Sequence, residues 1–283
     1  MLKKEGSVAM EDASITKSVQ KALSILQQFA ATGKNELSIT EFSENLNIPK
    51  STVCRLVKTL QNNSCLAQNP FNGKYCLGLR FFELGNQVPH IKEIRDVSYF
   101  HTEQLRHATG SSVHLAVLDQ REVVFIEKVQ AKAAAELTSS VGKRAPAYCT
   151  SVGKVLLAYQ PPQRVDYFFK NVKLQRFTPR TICGLDRLQK ELAEVRERGY
   201  AVDNCEYQDL CLCVGYPIRQ HNGSVVAALS ISQITSIIND EKIQNLSKLA
   251  MITAANISRE LGFEKSIEDT MAGLSSNKKE GGG

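Results

Sequence analysis

The sequence lacks any apolar run long enough to cross a membrane. Its longer runs, such as Val113–Leu118 broken only by His114, fall far short of the roughly 18 residues that a spanning helix needs. The first fourteen residues mix Lys3, Lys4, Glu5, Glu11 and Asp12 without an apolar core, so no secretory signal is expected. The eight cysteines show neither a pairing rhythm nor Cys-x-x-Cys spacing, and the five histidines are scattered. A disulfide-stapled secreted fold is thereby excluded, and Cys211 and Cys213 on one strand face are too few for tetrahedral zinc. Reduced, mostly buried thiols in a cytoplasmic protein are the expectation, with no metal, cofactor or catalytic set. Cys149, near a helix start, is the one nucleophile worth weighing, but no histidine lies near it in sequence.

What is present is an ordinary globular composition, 42% apolar and 23% charged. At about 150 residues per domain, 283 residues suggest two domains. The net charge of +6 says little until it is divided along the chain. Residues 17–80 hold eight basic and three acidic residues, a net of +5, whereas residues 91–262 hold 22 and 18, a net of +4 over more than twice the length. The basic excess is concentrated near the N-terminus, where a nucleic-acid footprint would be sought.

That region reads as a winged helix-turn-helix. Val19, Ala22, Leu23, Leu26, Phe29 and Ala30 recur at helical spacing over about Lys17 to Ala31, and Gly33 ends the helix. Ser38-Ile39-Thr40-Glu41 is a capping box that starts a short helix through Leu46. Asn47-Ile48-Pro49 is a tight turn, with Pro49 expected at the first position of a third helix. There Val53, Leu56, Val57 and Leu60 form one apolar stripe, opposite Lys50, Ser51, Thr52, Arg55, Lys58 and Thr59. Two short helices joined by such a turn let the second enter a major groove. Leu66-Ala67-Gln68 and Lys74-Tyr75-Cys76-Leu77 then flank Pro70-Phe71-Asn72-Gly73, a hairpin whose tip can follow phosphates or enter a minor groove. Lys50, Ser51, Thr52, Arg55, Lys58 and Lys74 are the candidate DNA-facing residues. The bland alternative is a three-helix packing unit with a solvated basic face.

Leu46-Asn47-Ile48-Pro49-Lys50-Ser51-Thr52-Val53-Cys54-Arg55-Leu56 and Tyr75-Cys76-Leu77-Gly78 resemble the helix-turn-helix region of IclR-type bacterial transcriptional regulators. Downstream, the resemblance continues through Gly142-Lys143-Arg144-Ala145-Pro146, Ser151–Ala158, Arg196-Glu197-Arg198-Gly199-Tyr200, Asp203, Glu206, Cys213, Pro217 and Ala227–Ser232. It spans roughly residues 15–262, in order. It implies a cytoplasmic, ligand-responsive regulator, a repressor of a catabolic operon, that binds a double-stranded DNA operator as a homodimer or homotetramer, without membrane association.

Residues 91–262 alternate strands and helices in an α+β pattern with an antiparallel sheet. Hairpins are expected around Asp119–Glu122 and His221–Gly223, with helices over Leu185–Arg198 and about Asn239–Gly262. The resemblance makes this a GAF/profilin-like sensor domain. The expected layout is a disordered 1–14, a winged helix-turn-helix at 15–79, a linker helix at 80–92, an effector domain at 93–262 and a disordered tail at 263–283.

Thr150-Ser151-Val152-Gly153 opens a helix, and a helix start offers unpaired N–H groups suited to a carboxylate; plain N-capping by Thr150 or Ser151 reads equally well from sequence. Ser230 and Ser232, two apart on a strand, share a face and can both donate to an anion. The resemblance implies that Ser151, Val152, Asp203, Cys213, Ser230 and Ser232 line a small-acid pocket, with Leu137 and Ala145 as apolar walls. Asp203 would repel a carboxylate but accept from a hydroxyl, so a small 2-oxo or sugar-derived acid leads over an aromatic acid. Leu210 and Leu212 stand where the family carries Gly and Arg, beside Asp203 and Cys213. A thiol- or metal-responsive regulator using Cys205, Cys211 and Cys213 is the alternative from another class, and an enzyme using the same pocket is a third.

Overall fold

A computed structural model describes residues 15–131, 139–235 and 239–264. Leu137, residues 1–14 and residues 265–283 lie outside the described residues. The chain divides into two compact units, Met1–Pro89 and His90–Gly283.

In the first unit, α1 (Lys17–Thr32) ends where Gly33 adopts φ 66° and donates its N–H to the Phe29 carbonyl. The Ser38–Glu41 capping box forms as expected and starts α2 (Ile39–Leu46). Asn47 turns left-handed at φ 52°, and α3 (Lys50–Asn62) follows. Pro49 is the residue before α3 rather than its first turn: its ψ of 137° is extended, so the helix begins one residue later than expected. Strands β1 (Leu66–Gln68) and β2 (Tyr75–Leu77) form the antiparallel hairpin. Ile25, Phe29, Phe42, Val53, Val57 and Leu66 make the core, with the Phe29 and Phe42 rings edge-to-face at 5.7 Å. Burial on α1 runs through Ile25 and Phe29, whereas Val19 and Leu23 of the expected apolar face are exposed. They continue a stripe begun by Ile15, beside the buried one rather than in it. The expected linker helix over 80–92 is instead a short α4 (Arg80–Gly85) and, after His90 at φ 64°, the first turn of α5 (Ile91–Thr109).

The second unit is built on six strands: β3 (Ser112–Asp119), β4 (Glu122–Val129), β5 (Arg144–Pro146), β6 (Ala201–Asn204), β7 (Cys211–Arg219) and β8 (Val225–Ile234). Their order is β5-β4-β3-β8-β7-β6, every neighbouring pair antiparallel. One face packs α5 and α9 (Asp240–Glu260) against Val113, Leu115, Val214, Leu229 and Ile231. The other carries α6 (Ser151–Ala158), α7 (Pro162–Phe169) and α8 (Leu185–Arg198), which Gly199 stops at φ 79°. Val155, Leu156, Leu188, Leu192 and Val195 join these helices to that face. Strand alternation therefore sends Val113 and Leu115 to one core and leaves Ser112 and His114 on the α6 side.

Candidate DNA-reading face and effector cavity

On α3, burial of Val53 and Val57 forces Lys50, Ser51, Arg55 and Lys58 to the exposed side, with Thr52 half-buried. Ser51, Arg55 and Lys58 follow one another at helical spacing and share one face. Lys74, at the start of the returning strand, stands 4.0 Å from Glu41 of α2. Gly78 follows β2: a Cβ there would sit 2.0 Å from the Ser64 carbonyl oxygen, so the hairpin's exit passes flush over the turn that follows α3.

The second site is a cavity of about 50 Å³ between the sheet and the start of α6. Sheet register builds its floor. Asp203 pairs with Cys213, Cys213 with Ser232 and Ser232 with Ser112; in the adjacent row Gly215 pairs with Ser230 and Ser230 with His114. Of the residues expected there, Ala145, Ser151, Val152, Asp203, Cys213, Ser230 and Ser232 all line it.

The roof is the N-terminus of α6. Thr150 is its cap: the hydroxyl accepts the Gly153 N–H at 3.2 Å and donates to the Pro146 carbonyl at 3.1 Å. Capping and anion reception are therefore compatible, because Thr150 serves the third N–H while the first two, of Ser151 and Val152, have no acceptor within the helix. Two glycines permit this approach. A Cβ on Gly215 would meet the Ser151 carbonyl carbon at 2.9 Å, and one on Gly153 would meet the Ala147 Cα at 2.4 Å.

The wall after β6 is held by buried polar bonds. Asp203 Oδ1 accepts the Glu206 N–H at 2.7 Å, and the Thr181 hydroxyl donates to the Glu206 carbonyl at 2.6 Å. Lys154 of α6, only 1% exposed, donates to Glu206 at 2.6 Å and Glu191 at 3.2 Å, and Arg198 reaches Glu191 at 2.7 Å. Glu206 Oε2 is buried with no hydrogen-bond partner among the described residues. Burial pushes the Asp203 carboxyl up to about 7, against the opposing pull of the Glu206 N–H and Lys154. Leu210 takes φ 60° in the same loop, a left-handed conformation that favours glycine.

Sequence reasoning did not select His114, Phe125, Ser139, Lys143, Arg144, Tyr207, Gln208 or Cys211 as cavity residues. Arg144 is already paired with Asp119 and with Glu122. His114 is the polar break in an apolar run, which was the available signal; its opposition to Ser230 depends on non-local pairing. Burial, reinforced by Lys128, pushes its imidazole down to about 3, so the ring is neutral. Cys211 and Cys213 place their sulfurs 3.5 Å apart, and that contact together with burial raises the Cys213 thiol well above its ordinary range. Burial also raises Cys205, which is not a cavity residue, and Cys149. Protonated thiols are poor nucleophiles and poor metal ligands. Among the described residues, no group of three His, Cys, Asp or Glu side chains is arranged for a metal ion, and no helix is long and apolar enough to cross a membrane.

A helix-turn-helix unit followed by a cavity-bearing antiparallel-sheet domain defines a class of protein, the transcriptional regulator with its own sensor domain. The IclR helix-turn-helix domain profile matches residues 18–70, and that of the bacterial transcriptional regulator IclR C-terminal domain matches residues 87–259. The chain belongs to the IclR family, whose members are transcriptional regulators rather than enzymes. It is 37% identical over 249 residues to the HTH-type transcriptional regulator XynR of Escherichia coli (strain K12), spanning 88% of this chain and 98% of that one. The HTH-type transcriptional repressor AllR of Klebsiella pneumoniae is 30% identical over 266 residues, spanning 93% and 97%. The Thermotoga maritima IclR crystal structure superposes with a TM-score of 0.71 at 33% identity, covering 87% of this chain and 99% of that one.

Proposed function

We propose that this regulator is a cytoplasmic repressor of a catabolic operon and that a small carboxylic acid bound in the cavity controls its hold on a double-stranded DNA operator. The observation carrying the reading is the convergence of anion donors and one acceptor on a single small space. Ser230, Ser232 and the first-turn N–H groups of α6 suit a carboxylate, while Asp203 suits a hydroxyl or carbonyl hydrate. A volume of about 50 Å³ holds roughly four water-sized centres, which supports a short 2-oxo or sugar-derived acid over an aromatic one. Repression is supported by the likeness to AllR, a repressor by name.

Lys50, Ser51, Thr52, Arg55, Lys58 and Lys74 are assigned to DNA, and Ala145, Ser151, Val152, Asp203, Cys213, Ser230 and Ser232 to the effector. The exposed stripe of Ile15, just before α1, and Val19 and Leu23 on it suits a second copy, so a homodimer or homotetramer would present paired recognition helices to a pseudo-palindromic operator. Effector binding then alters the spacing of those helices. A thermal-shift screen of pyruvate, glycerate, gluconate and 4-hydroxybenzoate, with Ser230→Ala as control, tests the cavity. Stabilisation of the native chain by a short acid, lost in the variant, is expected; equal stabilisation of both proteins would sink the assignment. Unchanged operator affinity across a gel-shift titration with the stabilising acid would refute its regulatory role.

A further inference from the structure

Phe71, at the hairpin tip, is 96% exposed. An exposed apolar residue is ordinary in itself; its mounting here is not. Asn69 Oδ1 accepts the Phe71 N–H at 2.9 Å, and Asn72 Oδ1 accepts the Lys74 N–H at 2.9 Å. The amide groups of the same two asparagines donate to one carboxylate, Glu36, at 2.7 and 2.8 Å. The Gln68 amide donates to the Gly73 carbonyl at 3.0 Å, and the Asn69 and Gly73 N–H groups close the turn on Lys74 and Asn69 carbonyls. These bonds occupy the tip's side-chain amides internally and hold the backbone rigid, so the feature it presents outward is a bare aromatic ring.

We propose that Phe71 is a wedge that enters the minor groove of double-stranded DNA and partly unstacks one base step. The proposal rests on the reading of this unit as the DNA-binding one. A duplex is the occupant that the surroundings favour: the unit carries a net charge of +5 over residues 17–80, and Lys74, its charge partly offset by Glu41 at 4.0 Å, stands three residues from the ring. With α3 in a major groove, the hairpin that follows it in the same compact unit reaches toward the flanking minor groove. Apolar side chains inserted there kink the duplex and widen the wrapped surface. A preformed tip loses little conformational freedom on insertion, which is what a wedge requires.

The test uses the full chain and duplexes selected by it from a random 40-base-pair pool, with 2-aminopurine placed in turn at each step of the protected site. The native chain should raise fluorescence at one step and bend the duplex. Phe71→Ala should abolish both and weaken binding about tenfold, while Phe71→Leu keeps most of the signal. Lys74→Ala should weaken binding but leave the fluorescence in place. The proposal is overturned if Phe71→Ala retains the unstacking signal, or if its affinity loss follows a change in sedimentation-measured assembly, which would place the ring against a second copy. A native chain that enriches no duplex overturns both this proposal and the DNA-binding reading.

Discussion

His114 Nδ1 and Ser232 Oγ lie 3.3 Å apart across the paired central strands, and His114 Nε2 meets Ser139 Oγ at 2.8 Å. A neutral imidazole offers one donor and one acceptor, so whichever nitrogen donates, the other accepts. In the tautomer that donates from Nδ1, the ring directs the Ser232 proton away from itself and toward the cavity. His114→Phe keeps the aromatic volume beside Phe125 but loses this direction. Binding of the stabilising short acid should weaken about tenfold or more, with a smaller change in melting temperature. Calorimetric titration showing unchanged affinity would remove His114 from effector recognition.

Asp203 and His114 oppose each other in the pH dependence of stability. Asp203 titrates near 7 in the folded chain against an ordinary value of 3.8, so the folded state holds the extra proton between those values and stability falls as pH rises through them. His114 titrates near 3 against 6.5, so the unfolded state holds the extra proton and stability falls as pH drops below 6.5. Asp203→Asn should leave stability rising with pH up to about 6.5, and His114→Asn should leave it falling up to about 7. Urea midpoints at pH 5 and pH 8 check both signs. The same carboxyl makes binding of an acid proton-linked, so affinity should decline above pH 7.

Lys154 is buried against Glu206, and removing one member strands the other. Lys154→Met leaves the Glu206 carboxylate without its cation and should cost about 3–5 kcal/mol. Glu206→Gln retains hydrogen-bonding capacity and should cost less. Denaturant unfolding of the two variants ranks them; equal losses would mean the charge pair contributes only through hydrogen bonding.

Gly215→Ala tests how closely α6 must approach the sheet. The added methyl meets the Ser151–Val152 peptide, backbone that cannot swing aside, so α6 must shift away from the strand. Overpacking of this kind costs about 1–3 kcal/mol and moves the first-turn N–H groups off the anion position. The variant should bind DNA at native affinity but lose the acid-induced thermal shift. Retention of that shift would show that the helix start does not contact the acid.

Local chemistry was legible in the sequence and non-local geometry was not. The Ser38–Glu41 cap, the Gly33 and Gly199 stops and both sensor-domain hairpins follow from neighbours a few residues apart. The exposure of Val19 and Leu23 could not be read, because helical periodicity identifies an apolar stripe without saying which part of it finds a partner. Asp203, Cys213, Ser230 and Ser232 were legible as pocket residues through family resemblance. His114 and Cys211 join the cavity only once strand register sets them beside Ser230 and over the floor. The buried Lys154 sits on a helix start whose apolar spacing gave no hint that an ammonium would be enclosed there.

Glu41 gives the DNA-binding unit a built-in competitor for its own cation. Its carboxylate accepts from Lys34, from the Ser38 N–H and from the Ser38 hydroxyl, which hold it down to about 2 and keep it ionised at any working pH. Lys74, 4.0 Å away, is thus already partly neutralised within the protein. With the DNA contacts proposed above, the hairpin would add less indiscriminate attraction to duplex than a free lysine, and discrimination between sequences would fall more heavily on the α3 face and on the shape of the groove.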